Sequence, residues 1–223
     1  MISTGSMFSY IECTSCKKFF SKDEILKLCP EPECGKVLFP RYELDQKKSM
    51  KSINDLKNRA PNMWRYKEFL PVNYEENIVS LGEGFTPILN AENLRNDLGI
   101  KKLFIKDESL NPTSSFKARG LSAAVSKAKE FGIKNFSIPT AGNAGGALAA
   151  YTAKASLKSY VFMPKDAPLA NKTEVSYFGA KLELIDGYIN DAGKKSIDMS
   201  SKLNLFDVST LKEPYRVEGK KTM

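Results

Sequence analysis

The chain has 223 residues, of which 42% are hydrophobic and 27% charged, enough for one large or two small globular domains. No apolar run approaches the ~18 residues of a membrane span, and the amino terminus lacks the basic and apolar regions of a secretory signal, so we expect a cytoplasmic protein. The net charge of +8 comes mainly from dispersed lysines, apart from clusters at Lys47, Lys48 and Lys51 and at Lys220 and Lys221. Such dispersion favours solubility and indicates binding of anionic metabolites rather than of nucleic acid. Because histidine is absent, His-based triads and histidine metal ligands are excluded.

Residues 1–42 contain all the cysteines of the chain, in two close pairs: Cys13, Cys16, Cys29 and Cys34. Four thiolates can surround one Zn²⁺ tetrahedrally and leave no position for a substrate, so we expect a structural zinc site. Aromatic and aliphatic residues around them predict short strands. The pattern is typical of a zinc ribbon, although four residues separate the second pair. Two disulfides, which are unfavourable without secretion, and free thiols are the alternatives.

Residues 43–79 are polar and predict a connecting arm with a helical piece near 53–59. Within it, segment 63–71 mixes aromatic and charged residues, among them Trp64 and Tyr66. Such mixing can serve single-stranded nucleic acid binding, but we expect these aromatics to pack against a neighbouring domain. Residues 80–89 follow with two glycines and a Thr-Pro pair, which predict a tight turn before an extended apolar run.

From Ala91 onward, helix and strand patterns alternate. Helices are predicted over 93–98, 117–131, 144–155, 169–178 and 191–203, and extended segments over 102–106, 135–139, 159–163, 181–185 and 204–208. This alternation predicts an α/β fold with a parallel sheet and helical crossovers.

The segment 111–120 is a loop that enters a helix near Lys117. Asn111 and Pro112 disfavour helix before this point, and three hydroxyl residues that follow can cap the helix. A cation in the first turn is unfavourable because the helix amino terminus carries partial positive charge. The neutral amine is therefore favoured, and this is the form in which a lysine attacks a carbonyl to form a Schiff base. The alternative is a solvated lysine in a capped helix.

Residues 139–147 connect a predicted strand to a helix and contain three glycines. Glycines let the backbone approach an anion, and the helix start supplies amide donors. The segment lacks both G-x-G-x-x-G and the Gly-Lys-Ser/Thr of a P-loop, so nucleotide binding is disfavoured. A plain strand-to-helix turn of small residues is the alternative.

The sequence Ser-Ser-Phe-Lys-Ala-Arg-Gly after Asn-Pro-Thr resembles the lysine segment of the fold type II, tryptophan-synthase-β-like enzymes that use pyridoxal 5′-phosphate (PLP). Within that group the chain is most similar to the threonine synthases, through Ser-Leu-Gly-Glu-Gly-Phe-Thr-Pro at 80–87 and Pro-Tyr-Arg-Val-Glu-Gly-Lys-Lys-Thr at 214–222. The resemblance implies that residues 80–223 are the amino-terminal half of a PLP-dependent catalytic region. The other half, with the glycine-rich loop for the PLP phosphate, is expected after Met223, so we expect a truncated chain that is inactive alone.

The resemblance also implies the site residues. Lys117 would be catalytic and would hold PLP as a Schiff base, with Phe116 beside the ring and Asn143 hydrogen-bonded to the 3′-oxygen. The substrate-binding residues would be Ser115, Thr140, Ala141, Gly142 and Ala144 around the carboxylate, and Arg216 with Ser209 or Thr210 around the phosphate. Since Ala141 and Ala144 stand where many members have Ser and Thr, only their backbone amides can take part.

The implied function is that of a PLP-dependent carbon–oxygen lyase of threonine biosynthesis, which converts O-phosphohomoserine and water to threonine and phosphate. A homodimer is expected for the full-length protein, with no membrane partner and no nucleic acid. Threonine dehydratase and cysteate synthase are alternatives within the class, against which the zinc ribbon and segment 80–87 argue. A zinc-ribbon nucleic-acid-binding protein and a non-catalytic fragment are alternatives from other classes.

Overall fold

A computed structural model of the chain describes residues 1–44 and 53–223. The lysine cluster at 47–51 and part of the predicted connecting arm lie outside these residues. The described part contains a three-stranded antiparallel sheet, a two-stranded sheet and a four-stranded parallel sheet. None of its helices combines the length and the apolar character needed to cross a bilayer.

The amino-terminal sheet is built on strand β1 (Phe8–Cys13), which pairs antiparallel with β2 (Phe19–Ser21) on one side and β3 (Leu38–Tyr42) on the other. Apolar side chains of β1 and β3 share a small buried cluster with Cys13 and Cys29. The predicted short strands are therefore confirmed. Gly35 has a φ of +54°, a conformation that glycine adopts readily and that turns the chain just after the last cysteine.

Strands β4 (Ile88–Asn90) and β5 (Phe104–Lys106) form an antiparallel pair. Helix α1 (Glu92–Asp97) lies between them in the sequence. The extended segment predicted at 102–106 thus pairs with the apolar run after Thr86 rather than joining the parallel sheet. The parallel sheet consists of β6 (Asn135–Pro139), β7 (Lys158–Pro164), β8 (Lys181–Ile185) and β9 (Phe206–Asp207), in the order β8-β7-β6-β9. The predicted α/β class with a parallel sheet is confirmed.

The helices after β5 are α2 (Lys117–Glu130), α3 (Asn143–Lys154), α4 (Leu169–Tyr177), α5 (Ile189–Leu203) and the short α6 (Arg216–Lys220). The four longer ones begin and end within two residues of their predicted bounds. Their main core joins α2 and α3 to the sheet through fully buried side chains such as Leu121, Leu148 and Val161. Each such side chain stabilises the fold by about 1.5–3 kcal/mol.

The backbones of α6 and α2 touch where the two helices cross, because each helix has a glycine at the crossing. A Cβ on Gly219 would overlap the carbonyl oxygen of Arg119, and a Cβ on Gly120 would lie 2.9 Å from the carbonyl oxygen of Arg216. This close crossing places the side chains of α6 next to the first turn of α2.

The amino-terminal sheet packs against the same region through aromatic side chains. The ring of Phe8 meets that of Tyr215 edge-on, with the centroids 6.4 Å apart, and Phe131 at the end of α2 lies 5.9 Å from Tyr215. The Tyr42 hydroxyl donates a hydrogen bond to Glu218 in α6 at 2.5 Å. The residue before Arg216 is therefore held by the amino-terminal sheet.

The aromatic segment of the arm forms a short 3-10 helix, Met63–Phe69. Met63 and Trp64 are buried against Ala123 of α2, and the indole N–H donates hydrogen bonds to Glu83 at 2.9 Å and to Ser122 at 3.0 Å. The expectation that these aromatics pack against the neighbouring part of the chain is confirmed for Trp64. Because Trp64 is buried, its ring is closed to stacking with a nucleic-acid base.

Candidate active site

Lys117 is the first residue of α2, and Phe116 occupies the cap position with no side-chain cap. Of the three hydroxyl residues expected to cap this helix, only Ser115 approaches it, and its buried Oγ accepts a hydrogen bond from the Lys117 amide at 3.3 Å. Thr113 and Ser114 instead have φ values of +62° and +51°. These left-handed conformations form a turn just before the chain enters α2.

The Lys117 amine lies 3.5 Å from the centre of the Phe116 ring. Among residues 1–44 and 53–223 it has no hydrogen-bond or ion-pair partner. Partial burial lowers its pKa, and the charges of Arg216 and Lys220 lower it further. The direction agrees with the neutral amine expected from the sequence, but its physical cause is burial and two neighbouring cations rather than the helix end alone.

Arg216 is buried at the start of α6, with 3% of its surface exposed. Its Nη1 donates to the Val208 carbonyl at 2.7 Å, whereas its Nε is buried with no partner, and Nη2 has none within the part of the chain that the structure describes. Arg119 provides a comparison, since its Nε and Nη2 each bind one oxygen of Glu108 at 2.7 Å. The edge of the guanidinium that Arg119 uses for a carboxylate is thus vacant in Arg216, and it matches a bidentate anion.

Glu213, three residues before Arg216, is buried and accepts hydrogen bonds from the amides of Tyr215 at 2.6 Å and Arg216 at 3.0 Å. Burial raises the pKa of Glu213 to about 7, despite these bonds and the nearby guanidinium. At neutral pH this carboxyl carries only part of a negative charge, so it only partly balances Arg216.

The asparagine loop follows β6 and begins α3. The Thr140 hydroxyl accepts a hydrogen bond from the Gly142 amide at 3.1 Å, which tightens the turn. Asn143 is exposed, and its Oδ1 accepts a hydrogen bond from Asn171 of α4 at 2.9 Å. Ala141 is exposed and Ala144 buried. The turn Pro112–Ser114 contacts α3, so the lysine loop and this helix are neighbours.

Ser209 and Thr210 lie just after Val208, whose carbonyl holds Arg216. The amide and the hydroxyl of Ser209 both donate to the carboxylate of Asp207, while Thr210 is exposed. The Ser209 hydroxyl is therefore engaged by Asp207, and the structure shows no hydrogen bond from either residue to Arg216 in the described part.

A buried carboxylate not singled out from the sequence links the two loop-bearing helices. Glu83 is fully buried and accepts hydrogen bonds from Ser122 of α2 at 2.6 Å and from Tyr151 of α3 at 2.7 Å. It also accepts from the Trp64 indole and from the Leu81 amide at 2.9 Å. The available signal was an acidic residue between two glycines, Gly82 and Gly84, in a segment that otherwise reads as a loop.

A partly buried acidic group, Glu108, supports the lysine loop. Burial alone would raise its pKa, but hydrogen bonds from Arg119, Thr86 and Asn111, with the charge of Arg119, lower the pKa to about 2. Arg119 also donates to the carbonyl of Thr222 at 2.8 Å. The carboxyl-terminal segment is thus tied to α2 two residues after Lys117.

The four cysteines of the amino-terminal sheet are all free, and their sulfur atoms lie within 4.8 Å of one another. Cys13 and Cys34 are 3.6 Å apart, and Cys16 and Cys29 are 3.7 Å apart, measured between Sγ atoms. The structure does not contain the alternative pair of disulfides. This cluster can hold a metal ion, and thiolates are ligands that Zn²⁺ accepts in structural sites.

Residues 79–223 match the model of a family described as pyridoxal-phosphate dependent enzyme. The chain is 36% identical over 212 residues to the curated threonine synthase of Methanocaldococcus jannaschii, covering 95% of this chain and 51% of that protein. It is 34% identical over 215 residues to the threonine synthase of Methanosarcina acetivorans, covering 96% of this chain and 51% of that protein. The chain therefore spans about half the length of the curated relatives it matches.

Solved structures resemble the chain at lower identity. Escherichia coli diaminopropionate ammonia lyase in complex with D-serine superimposes with a TM-score of 0.59 at 20% identity, over 66% of this chain and 44% of that one. Maize serine racemase gives a TM-score of 0.55 at 22% identity, over 60% of this chain and 41% of that one. At these identities the likeness shows the fold alone.

Proposed function

The chain belongs to the family of pyridoxal-phosphate-dependent enzymes, and from this membership we propose that it performs the reaction of a threonine synthase. The fold type II class expected from the sequence is confirmed by the family match and the solved structures. The proposed substrates are O-phosphohomoserine and water, and the proposed products are threonine and phosphate. The curated relatives that carry this name support the proposal.

The observation that carries the proposal is the Lys117 amine, which lies over the Phe116 ring and has no hydrogen-bond or ion-pair partner among the described residues. A structural lysine in such a half-buried position would normally be paired, because burying an unpaired cation is costly. The lowered pKa of Lys117 favours the neutral nucleophile that joins an aldehyde. These residues fit PLP, which Lys117 would hold, with Phe116 and Asn143 beside it.

PLP, when bound, supplies an electron sink for carbanion character in the substrate. In the proposed reaction the bond between the γ carbon and the phosphate oxygen breaks, and phosphate leaves with the electron pair. A proton moves from the β carbon to the γ carbon, the hydroxyl of water adds at the β carbon, and its remaining proton goes to phosphate. Lys117 is the proposed base that moves protons at the substrate carbons.

The vacant guanidinium edge of Arg216 supports a phosphorylated substrate. Two parallel N–H donors match two oxygens of a phosphate, and the site around them is buried, so the interaction is weakly screened. Ser209 and Thr210 are proposed to assist, and Ser115, Thr140, Ala141, Gly142 and Ala144 are proposed to surround the substrate carboxylate. A dehydratase substrate carries no phosphate and would leave this edge of Arg216 without a function.

We assign a structural zinc ion to Cys13, Cys16, Cys29 and Cys34, supported by the approach of all four sulfur atoms. The proposed division of the chain is a zinc ribbon over 1–42, an arm over 43–79 and catalytic residues over 80–223. Since the four thiolates fill a tetrahedral shell, the ion has no proposed part in the reaction.

The test is an assay of the full-length protein with PLP and O-phosphohomoserine, in which release of threonine and phosphate is measured in equal amounts. Lys117→Ala should abolish turnover and the absorbance of lysine-bound PLP. Lys212→Ala, at an exposed lysine, is the matched control and should retain both. Ammonia release from threonine in place of threonine formation would contradict the proposal and favour a dehydratase.

A further inference from the structure

Lys220 is the last residue of α6 and lies over the same surface as Arg216, one helical turn away. Its ammonium is 5.9 Å from the centre of the Phe116 ring, on which the Lys117 amine lies at 3.5 Å. A Cβ on Gly120 would be 3.6 Å from Cε of Lys220 and 3.0 Å from Cγ of Arg216. Both side chains therefore run along the first turn of α2, next to Lys117, which begins this helix.

The positive charge of this group is incompletely balanced. Within residues 1–44 and 53–223, the Lys220 ammonium has neither a hydrogen bond nor an ion pair. Its neighbour Lys221 has a different environment, since it pairs with Glu218 at 2.5 Å and lies 3.9 Å from the Tyr42 ring. Burial lowers the pKa of Lys220, and the charge of Arg216 lowers it further, while Glu213 acts in the opposite direction.

The carboxylates that face these cations are already engaged. Glu213 accepts two backbone amides and is partly protonated at neutral pH, and Asp207 accepts the amide and the hydroxyl of Ser209. Arg216 and Lys220, two neighbouring cations whose acidic neighbours are occupied, gain most from an added anion of more than one charge. A phosphate dianion meets this requirement better than a carboxylate.

We propose that Lys220 binds the phosphate group of the substrate, together with the free edge of Arg216. Arg216 supplies two directed N–H donors, and Lys220 supplies a mobile point charge that follows the phosphate as it leaves. The proposal rests on the proposed function and adds to it a second phosphate-binding cation on α6. Lys220 thus determines specificity for phosphorylated over unphosphorylated amino acids.

The experiment titrates inorganic phosphate into the full-length protein by calorimetry, for wild type, Lys220→Gln, Lys220→Arg and Lys212→Gln. Loss of one charge-assisted contact should weaken phosphate binding about tenfold in Lys220→Gln. Lys220→Arg should bind within about threefold of wild type because the charge is kept. Lys212→Gln removes the same charge at an exposed site and should match wild type.

The kinetic counterpart is a rise in KM for O-phosphohomoserine in Lys220→Gln that exceeds any fall in kcat. Thermal melting checks the fold of each variant, and Lys220→Met, which keeps the aliphatic stem, replaces the Gln variant if that one melts early. Phosphate affinity unchanged in Lys220→Gln or Lys220→Met would overturn the proposal. If phosphate affinity depends on Lys220 but no threonine forms, the phosphate site stands and the proposed reaction is wrong. If threonine forms but phosphate affinity does not depend on Lys220, the proposed reaction stands and the role of Lys220 is wrong.

Discussion

Gly219 of α6 lies against the carbonyl oxygen of Arg119 in α2, with no room for a side chain between them. This contact sets how far α6 stands from the first turn of α2. It therefore sets where Arg216 and Lys220, at the two ends of α6, lie relative to Lys117. The positions of Arg216 and Lys220 beside Lys117 therefore depend on one glycine that takes no part in the proposed chemistry.

Gly219→Ala should destabilise the protein by about 1–3 kcal/mol, because the added methyl forces the two helix backbones apart. The matched control is Gly193→Ala in α5, where a Cβ would meet no atom within 4 Å. That change should stabilise the protein by about 0.5–1 kcal/mol, since alanine favours a helix interior. Urea unfolding measures both, and equal effects of the two substitutions would contradict this account of the crossing.

Glu83→Gln should destabilise the protein by about 1–3 kcal/mol, because it places an amide donor among donors in a buried site. The two carboxylate oxygens each accept one fixed N–H, from the Trp64 indole on one and the Leu81 amide on the other. Whichever way the Gln amide is turned, its NH₂ group faces one of these N–H donors, and neither can rotate to become an acceptor.

The measurement for Glu83 is the free energy of unfolding in urea, with Glu92→Gln at an exposed position of α1 as the control. Glu92→Gln should change the free energy by less than about 0.5 kcal/mol. A Glu83→Gln variant as stable as wild type would show that the carboxylate is not required as an acceptor of these bonds.

Glu213 should make the stability of the protein depend on pH near neutrality. Its pKa is raised from 4.5 to about 7 in the folded state, so the folded protein holds this proton more tightly than the unfolded chain does. The stabilisation is complete below pH 4.5 and is lost as the pH rises through 7. Between pH 4.5 and 8 the difference amounts to about 3 kcal/mol.

Glu213→Gln removes the titration and should flatten this dependence. The free energy of unfolding of wild type, minus that of Glu213→Gln, should fall between pH 5 and pH 8. Because other titrating groups are shared by both proteins, they cancel in the difference. A difference that stays constant over this range would mean that Glu213 does not hold a raised pKa.

Removal of the proposed zinc ion should lower both the stability of the protein and its affinity for phosphate. A chelator should lower the melting temperature, because structural zinc contributes directly to the folding of its domain. It should also weaken phosphate binding, since Phe8 and Tyr42 of the amino-terminal sheet contact Tyr215 and Glu218 of the segment that carries Arg216.

Metal content measured by mass spectrometry should be one zinc per chain and should return, together with phosphate affinity, when zinc is added back. Cys16→Ser should reproduce the effect of the chelator. Chelation that removes the metal and leaves phosphate affinity intact would show that the two regions are independent.

Much of the fold follows from local sequence. The strands at 135–139 and 181–185 have their predicted bounds, and α2 and α4 end just before Gly132 and Gly179, which have positive φ and stop the helices. The α/β class follows from the alternation of these elements. What local pattern did not reveal is the partner of β5, which was expected in a series of parallel strands and instead pairs antiparallel with β4.

In the candidate site, too, some residues were predictable from local sequence and others depend on contacts across the fold. Lys117, Asn143 and Arg216 were predicted as site residues because each lies in a segment that resembles the enzyme family. Glu83 and Lys220 lie in the motifs at 80–87 and 214–222, but no role was predicted for either one. What distinguishes Glu83 is contact made across the fold, since it meets Tyr151 from 68 positions away. The position of Glu83 between two glycines does not show that hydrogen-bond donors will surround it, and the local sequence does not show where Lys220 lies relative to Lys117.

The contact between Phe8 and Tyr215 has a consequence for how this sequence can vary. Tyr215 is fully buried between the amino-terminal sheet and the end of α2, and it immediately precedes Arg216. A larger or smaller residue at position 8 would need a compensating change at position 215, and with it a shift of the neighbouring guanidinium. Positions 8 and 215 are therefore expected to vary together among relatives. A chimera that joins a foreign amino-terminal sheet to residues 80–223 should lose phosphate affinity before it loses its fold.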